Sequence, residues 1–344
     1  MKFHYMEREP LKNPSNFRRM ALGAWHDIGD PQVYALLEVD VEQALEYIAK
    51  VRAERGIHLT INHIVAKILS LGFRRFPQIN GVIANGKIYL RKHVDAFLHV
   101  GIEGAETELV GVCVRDADKK SIFEVAEDIR RKSERVRQSA QHPMRKSQGI
   151  FRFIPWRLIP FAVKFMNWLE FDLNLSLARF GIPRDPFGSF MQTSIGSFDM
   201  EAVWVPTTFL GRNNFQMAVG KIYKKPVVMD DDSIVVRHRM NLCVTFDHRF
   251  MDGVFGSKLA KFVMKRINNL NDYIDEIEHS DLTEEERQKR QFQIEDHLGK
   301  DESKANDANA IATTTTSHND AHLGKAESES IDSKTTDATS HNEQ

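Results

Sequence analysis

The segment TFDHRFMDG, residues 245–253, is the starting point for predicting the fold. The residues leading into it alternate in polarity, with Leu242, Val244 and Phe246 on one face, which is the period of a half-buried strand. Beyond the segment, apolar residues recur at helical spacing as far as Leu270. The segment is therefore predicted to be a strand-to-helix turn, where a side chain is held firmly and still reaches a cleft.

His248 is the residue of this turn that is suited to acid–base chemistry, and Asp252 follows four positions later, where it is predicted to cap the helix. Taken alone, these residues allow two interpretations: a packed histidine beside a capped helix, or a catalytic turn. The surrounding residues favour the catalytic turn.

Residues 247–253 resemble the Asp-His-Arg-x-x-Asp-Gly segment of the acyltransferase component of 2-oxo acid dehydrogenase complexes. Chloramphenicol acetyltransferase shares the shorter His-x-x-x-Asp-Gly core. Four earlier segments resemble successive parts of that acyltransferase's catalytic domain, in the same order: residues 36–40 (LLEVD), 59–62 (LTIN), 76–80 (FPQIN) and 115–121 (RDADKKS). The resemblance runs from about Ser15 to about Ile274.

The resemblance implies an α/β two-layer sandwich of the coenzyme A-dependent, chloramphenicol acetyltransferase-like type, occupying residues 1–280. The 42% of hydrophobic residues is enough for a sizeable core. Residues 281–344 are polar and include a run of four threonines. Apolar residues there are too sparse to offset the entropy of ordering, so a disordered low-complexity tail is predicted.

The composition sets limits on location and partners. A formal net charge of −1 gives no indication of nucleic acid binding. Cys113 and Cys243 lie in apolar runs, which predicts buried thiols rather than a disulfide or a metal site. The N-terminal residues lack the apolar core of a signal peptide, and no run of 18 apolar residues exists. A cytoplasmic location is expected, with peripheral contact to a membrane left open.

The resemblance also implies roles for individual residues. His248 corresponds to the general base. Residues 188–196 (GSFMQTSIG) align with Gly-Thr-Phe-Thr-Ile-Ser-Asn-Leu-Gly, which places Thr193 at the serine whose hydroxyl donates to the oxyanion. A one-residue slip makes Ser194 the donor instead. Thr193 as an ordinary strand residue is the remaining alternative.

In the family, the aspartate at Asp252 pairs with an arginine near the N-terminus and fixes the loop. Arg18 is the candidate here and Arg19 the near alternative, while Gly253 completes the motif. The chain departs from the family's Gly-Leu-x-x-Pro-Val run, because Glu108 and Val112 replace its glycine and proline.

A second departure is an insertion at about residues 139–187, in a connection that is much shorter in the complex enzymes. Its central part, residues 151–169, is aromatic and basic, and Pro155 and Pro160 exclude a simple membrane span. Three interpretations remain: a helical flap packed on the domain or on a neighbouring subunit, a hydrophobic lid for a longer acyl chain, or an amphipathic segment that contacts a membrane surface through residues 150–169.

The implied function is transfer of an acyl group between coenzyme A and a thiol such as dihydrolipoamide, or another acceptor, without a metal ion. Acyl-CoA is the expected substrate. No segment resembles a lipoyl-bearing domain, so any lipoyl group is expected on another protein in trans. The family forms trimers in which adjacent subunits each supply half of the active site. A non-catalytic assembly subunit that keeps the trimeric fold is the alternative, and the intact His248 and Asp252 oppose it.

Overall fold

The computed structural model of the chain describes residues 8–10, 12, 31–101, 109–138, 155–177, 183–208 and 210–283. The described residues up to Asp281 form one compact unit. Almost all of the predicted tail lies outside the described residues, as do Arg18, Arg19 and Glu108.

The described part of the chain contains nine strands and six α-helices. The strands are β1 (Arg8–Pro10), β2 (Gln32–Asp40), β3 (Gly81–Ala84), β4 (Lys87–Arg91), β5 (Ala96–Gly101), β6 (Leu109–Val114), β7 (Phe190–Ser194), β8 (Phe215–Val228) and β9 (Ile234–Asp247). The helices are α1 (Glu42–Arg55), α2 (Ile61–Arg75), α3 (Ile122–Gln138), α4 (Ile159–Asn167), α5 (Gly253–Asn268) and α6 (Ile274–Glu278).

Six strands form one mixed sheet in the order β2-β9-β8-β7-β5-β6. Strand β7 runs parallel to β5 and β8, and the other pairs are antiparallel. Residues Met240, Leu242, Val244 and Phe246 of β9 belong to the same buried cluster as the helices. The predicted alternation between two faces is confirmed, but the strand is not half-buried as predicted, because Cys243 packs with Ile195 and Ala218 in a second buried cluster on the other face. The helix-covered face of the sheet makes the two-layer sandwich. The opposite face is called the distal face below.

The smaller sheet, β1-β4-β3, contains a hairpin that the sequence predicts, because Asn85-Gly86 between two alternating apolar runs is a strong turn signal. Ala84 pairs with Lys87, and the two residues between them, Asn85 and Gly86, have φ angles of 48° and 68°. Positive φ at both positions is typical of a type I′ turn, which Asn-Gly favours. The hairpin prediction is confirmed.

The helix ends follow local sequence signals. Helix α3 starts with a capping box, because Glu124 N–H donates to Ser121 Oγ (3.2 Å) and Ser121 N–H donates to Glu124 Oε2 (2.7 Å). Helix α1 ends at Gly56 in the left-handed conformation. The sequence favours Asp40 as its N-cap, since aspartate is a common capping residue, but the N-cap is Val41; the Asp40 carboxylate still accepts the Glu42 N–H at 3.1 Å.

The inner side of the insertion is fixed to the domain by polar contacts. After α4, the chain makes a single π-helical turn, Trp168–Asp172, whose Phe171 is buried against Val82 of the hairpin. Asp172 accepts hydrogen bonds from Asn85 N–H at 2.8 Å and from Arg212 at 3.0 Å. The described part of the insertion is therefore a packed flap, as the first interpretation predicts.

The outer side of the flap is apolar and exposed. Phe161, Phe165 and Trp168 are 68%, 57% and 44% exposed, and the rings of Phe165 and Trp168 stack with centroids 5.9 Å apart. Arg157 and Lys164 are exposed beside them. None of the helices in the described residues is long and apolar enough to cross a bilayer. Residues 151–154 lie outside the described part.

A buried ion pair lies behind the flap. Arg91 Nε donates to Asp185 Oδ2 at 2.7 Å, and both side chains are almost fully buried. The Asp185 N–H donates to the carboxyl of Glu170 at 3.2 Å. Burial, and then the negative charge of Asp185, raises the pKa of Glu170 to about 8. Glu170 is therefore predominantly protonated at neutral pH.

This raised pKa predicts a pH-dependent stability. Between about pH 4.5 and pH 8 the folded chain holds a proton on Glu170 that the unfolded chain releases, so the free energy of unfolding falls as pH rises. Each pKa unit of difference contributes about 1.4 kcal/mol. We expect Glu170→Gln to gain stability relative to the wild type from about pH 5 to about pH 8, measured by urea unfolding. The matched control is Glu54→Gln, at an exposed glutamate of α1. If the difference in stability between Glu170→Gln and the wild type is the same at about pH 5 and at about pH 8, the prediction is wrong.

Candidate active site

Two backbone hydrogen bonds and one ion pair stabilise the turn that carries His248. The Asp247 N–H donates to the carbonyl of Asn214 (3.0 Å), and the His248 N–H donates to the carbonyl of Pro31 (2.9 Å). Arg249 binds the Asp247 carboxylate through Nη2 (2.6 Å) and Nε (3.0 Å). These bonds fix the backbone on both sides of His248, as a catalytic histidine requires.

The smaller sheet packs against the same turn. Phe250 packs so closely on Gly81 that a Cβ there would lie 2.6 Å from the Phe250 ring, so this position requires glycine. The Asn214 side chain donates to the carbonyls of Ile79 (3.2 Å) and Gly81 (3.1 Å). The turn and the hairpin are thus one packed unit.

Asp252 caps α5, as predicted. Its carboxylate accepts the Phe255 N–H at 2.8 Å, and its carbonyl accepts the Gly256 N–H at 2.8 Å. The predicted pairing of Asp252 with Arg18 or Arg19 lies outside the described residues. Gly253 is the first residue of α5, and a Cβ there would meet no atom within 4 Å.

Thr193 and Ser194 face opposite sides of the sheet. Ser194 Oγ accepts a hydrogen bond from Asn62 Nδ2 (3.2 Å) on α2, and Gln192 Nε2 donates to the carbonyl of Asn62 (2.9 Å). Ser194 therefore faces the helices, and Thr193, by the alternation of a strand, lies on the distal face. Asn62, which ends the LTIN segment, therefore holds Ser194 on the face opposite to Thr193.

His99 is a site residue that sequence reasoning missed. Strands β5 and β7 pair in parallel with Phe97 beside Met191, so two residues further on His99 lies beside Thr193 on the distal face. The rings of Phe97 and His99 are in edge contact, 5.1 Å between centroids. Burial lowers the pKa of His99, which favours a neutral imidazole next to the threonine hydroxyl. The sequence feature that could have identified His99 is that it is a lone polar residue in an apolar strand.

A single chain does not bring His248 and Thr193 together. Thr193 pairs with Ala218, and Ala218 with Cys243, so one row crosses β7, β8 and β9. His248 lies five residues beyond Cys243, which is about 17 Å along the strand direction, and two strands away, about 10 Å across the sheet. One reacting atom cannot touch both side chains of the same chain.

The distal face also exposes apolar side chains. Tyr34 and Leu36 of β2 are 50% and 49% exposed, while their neighbours Val33 and Ala35 pack against the core. Trp204, 40% exposed, donates its indole N–H to the carbonyl of Ala35 at 3.0 Å. An exposed apolar surface of this kind is typical of a protein interface.

The cysteines are both free thiols, Cys243 buried and Cys113 half-buried. Burial raises the pKa of Cys113 to about 12, so it is not a nucleophile at neutral pH. Within the described residues, no group of three or more His, Cys, Asp or Glu side chains is placed to hold a metal ion.

Comparison with known families gives a match to the 2-oxoacid dehydrogenases acyltransferase (catalytic domain) over residues 19–152 and 193–274. Among curated relatives, the lipoamide acyltransferase component of the branched-chain alpha-keto acid dehydrogenase complex of Bacillus subtilis (strain 168) is 24% identical over 250 residues, which is 72% of this chain and 48% of the relative. The dihydrolipoyllysine-residue acetyltransferase component of the pyruvate dehydrogenase complex from the same organism is 24% identical over 245 residues, 70% of this chain and 45% of that protein. The chain thus spans about half the length of the curated relatives it matches.

Solved structures show the same fold. A probable dihydrolipoamide acetyltransferase from Listeria monocytogenes 4b F2365 superposes with a TM-score of 0.52 at 22% identity, covering 76% of this chain and 95% of that one. The dihydrolipoamide acetyltransferase of Azotobacter vinelandii, in which a serine, a histidine and an asparagine were investigated for their roles in the catalytic mechanism, has a TM-score of 0.52 at 17% identity, covering 77% of this chain and 99% of that one.

The cap at Asp252 leads to a prediction that separates its two roles. Asp252→Ala removes the acceptor for the Phe255 N–H, whereas Asp252→Asn keeps an acceptor. We expect the free energy of unfolding of the Ala variant to lie about 1 kcal/mol below that of the Asn variant, measured by urea unfolding. Equal stabilities contradict a capping role. Any decrease in the free energy of unfolding of the Asn variant relative to the wild type measures the contribution of the negative charge of Asp252. Pairing of Asp252 with an arginine requires such a decrease.

Proposed function

The chain belongs to the family of 2-oxoacid dehydrogenase acyltransferase catalytic domains, and from this premise we propose that it transfers an acyl group between coenzyme A and a second thiol. The observation that carries the proposal is the His248 turn, whose backbone is fixed by Pro31, Asn214 and Arg249 at the end of a central strand. The family match covers both this turn and Thr193.

The chemistry needs a base and an oxyanion donor. A thiol ordinarily has a pKa near 8.5 and an imidazole near 6.5, so a neutral imidazole accepts the thiol proton as the thiolate attacks the acyl carbonyl. The hydroxyl of Thr193 donates to the tetrahedral oxyanion. Collapse of this intermediate breaks the original carbon–sulfur bond, and the imidazolium of His248 returns its proton to the departing thiolate.

We place His248 of one subunit against Thr193 of its neighbour. Support comes from the separation of the two residues within one chain and from the apolar distal face around Tyr34, Leu36 and Trp204. A symmetric oligomer buries such a surface and completes the site at each interface. A trimer, as in the family, is our proposed assembly.

The Azotobacter vinelandii enzyme supplies further support. The histidine and the asparagine investigated there are four residues apart, the spacing of His248 and Asp252 in this chain. We assign Asp252 to positioning, because its carboxylate is engaged in capping α5. The acyl acceptor in our proposal is a dihydrolipoyl group on another protein. The alternative to an acyltransferase function is a non-catalytic assembly subunit.

Complementation between two inactive variants tests this proposal. We expect His248→Ala to lower turnover by about 10²–10⁴-fold and Thr193→Val by about 10²–10³-fold, without loss of folded protein. Turnover is measured as transfer from labelled acetyl-CoA to dihydrolipoamide. When the two variants are unfolded together and refolded at equal concentrations, about a quarter of the interfaces regain both wild-type residues. Activity should return to a similar fraction of the wild-type rate.

Each variant refolded alone is the control and should stay inactive. Failure of the mixture to regain activity places both residues in one subunit or outside the mechanism. A wild-type protein that assembles but transfers no acyl group supports the assembly-subunit alternative.

We also propose that the outer side of the flap contacts an anionic membrane surface. Phe161, Phe165 and Trp168 form an apolar stripe beside the cations Arg157 and Lys164. The acidic residues in the described part of the flap, Glu170, Asp172 and Asp185, are turned inward to the domain. A stripe of aromatic rings flanked by cations is suited to the boundary of anionic lipid. Peripheral attachment of a cytoplasmic protein is the location that we infer.

Vesicle flotation tests the membrane proposal. We expect the wild type to float with phosphatidylglycerol vesicles and not with phosphatidylcholine vesicles, and we expect Phe165→Ser with Trp168→Ser to lose binding by about tenfold or more, since each buried ring contributes to the affinity. Phe198→Ser, at an exposed aromatic residue elsewhere, is the control. Absence of vesicle binding together with a changed oligomeric state in the double variant identifies the stripe as a subunit contact instead.

A further inference from the structure

An apolar cavity that opens to solvent lies beside α5. Its volume is about 280 Å³, and it lies between the helix and the covered face of the sheet. Large apolar side chains line it, among them Leu37, Phe215, Val244, Phe246, Met251 and Leu259. Gly253 and Ser257, also in the lining, are exposed, so a ligand can enter the cavity from solvent.

Small side chains on two elements leave this space open. Ala35 of β2 and Gly253, Gly256 and Ala260 of α5 all line the cavity. A Cβ at Gly256 would find its nearest neighbour, Phe246 Cζ, at 3.7 Å, which is ordinary contact. Gly256 therefore is not required by close approach, although glycine weakens a helix. The small residues are compatible with a space that a ligand fills.

The cavity is bounded by residues on both sides of the turn that carries His248. Phe246 precedes the turn and Met251 follows it, and both side chains form part of the cavity wall. The half-buried Val33, Ala35 and Leu37 of the edge strand β2 also line it. The cavity is therefore adjacent both to the ends of the His248 turn and to the edge of the sheet.

We propose that this cavity takes the hydrocarbon chain of the transferred acyl group. The inference rests on the proposed acyl transfer and specifies its substrate class as acyl-CoA thioesters of medium chain length. A methylene group is similar in volume to a water molecule, whose share of liquid volume is about 30 Å³. By this measure the cavity holds roughly nine carbons, enough for an octanoyl chain. The apolar lining excludes a charged or strongly polar acyl group, because its polar atoms would be left without partners.

The experiment compares octanoyl-CoA with acetyl-CoA as donors. We expect the wild type to have the higher kcat/KM with octanoyl-CoA. Ala260→Leu fills the cavity from α5, and should lower kcat/KM for octanoyl-CoA by about tenfold or more while leaving the value for acetyl-CoA nearly unchanged. Lys261→Leu adds the same side chain at an exposed position of the same helix and should alter neither value.

A binding measurement separates this inference from the proposed function. Titration calorimetry with octanoyl-CoA and acetyl-CoA does not depend on turnover. Suppose that neither thioester acts as a donor, but octanoyl-CoA binds more tightly than acetyl-CoA and Ala260→Leu removes this difference in affinity. The proposed acyl transfer is then wrong, and the cavity is still the binding site for the hydrocarbon chain. If acetyl-CoA is transferred and Ala260→Leu changes neither octanoyl-CoA binding nor its kcat/KM, the cavity is not the acyl site.

A smaller substitution covers the case in which Ala260→Leu does not fold. Gly256→Ala adds one methyl group to the cavity in a helix that tolerates alanine well. It should shift the preferred donor to a shorter chain, from octanoyl-CoA toward hexanoyl-CoA. An unchanged preference in this folded variant overturns the inference.

Discussion

The pairing of β9 on both of its sides is the constraint on which the rest of the structure depends. Its residues alternate between the covered face and the distal face, and β2 and β8 fix its register. A slip of one residue would turn Leu242, Val244 and Phe246 away from the core. The same register sets the point at which the strand ends and His248 emerges. Core packing and the position of His248 are therefore decided together.

Local signals in the sequence predicted most of this framework. The alternation of β9, the Asn85–Gly86 turn and the cap at Asp252 each depend on residues close in sequence, so their patterns can be recognised directly. Thr193 and Ser194 were not distinguished, because adjacent residues of a strand differ only in the face they occupy. The hydrogen bond from Asn62 to Ser194 joins residues 132 positions apart, and such a contact leaves no local pattern.

The insertion shows the same limit in another form. Its aromatic residues suggested burial, yet Phe161 and Phe165 are exposed and the polar Glu170 is buried. The reason is that Asp185, from the end of the insertion itself, and Arg212, forty residues beyond Asp172, supply the partners of the polar residues on its inner side. With polar anchors inside, the aromatic rings remain available for a surface. The inner side of the flap is thus held by hydrogen bonds as well as by the buried contact of Phe171 with Val82.

The pairing of β2 with β9 also has a consequence for how the chain folds. Residues 32–40 must find residues 239–247, about two hundred positions later. Contacts between such distant segments raise contact order and slow folding, because loop-closure entropy is lost before the pairing is gained. During synthesis the β2 segment waits unpaired until almost the whole domain has left the ribosome. His248, bonded to Pro31 across the same junction, is therefore set in place only at the end, so partly folded chains carry no finished active site.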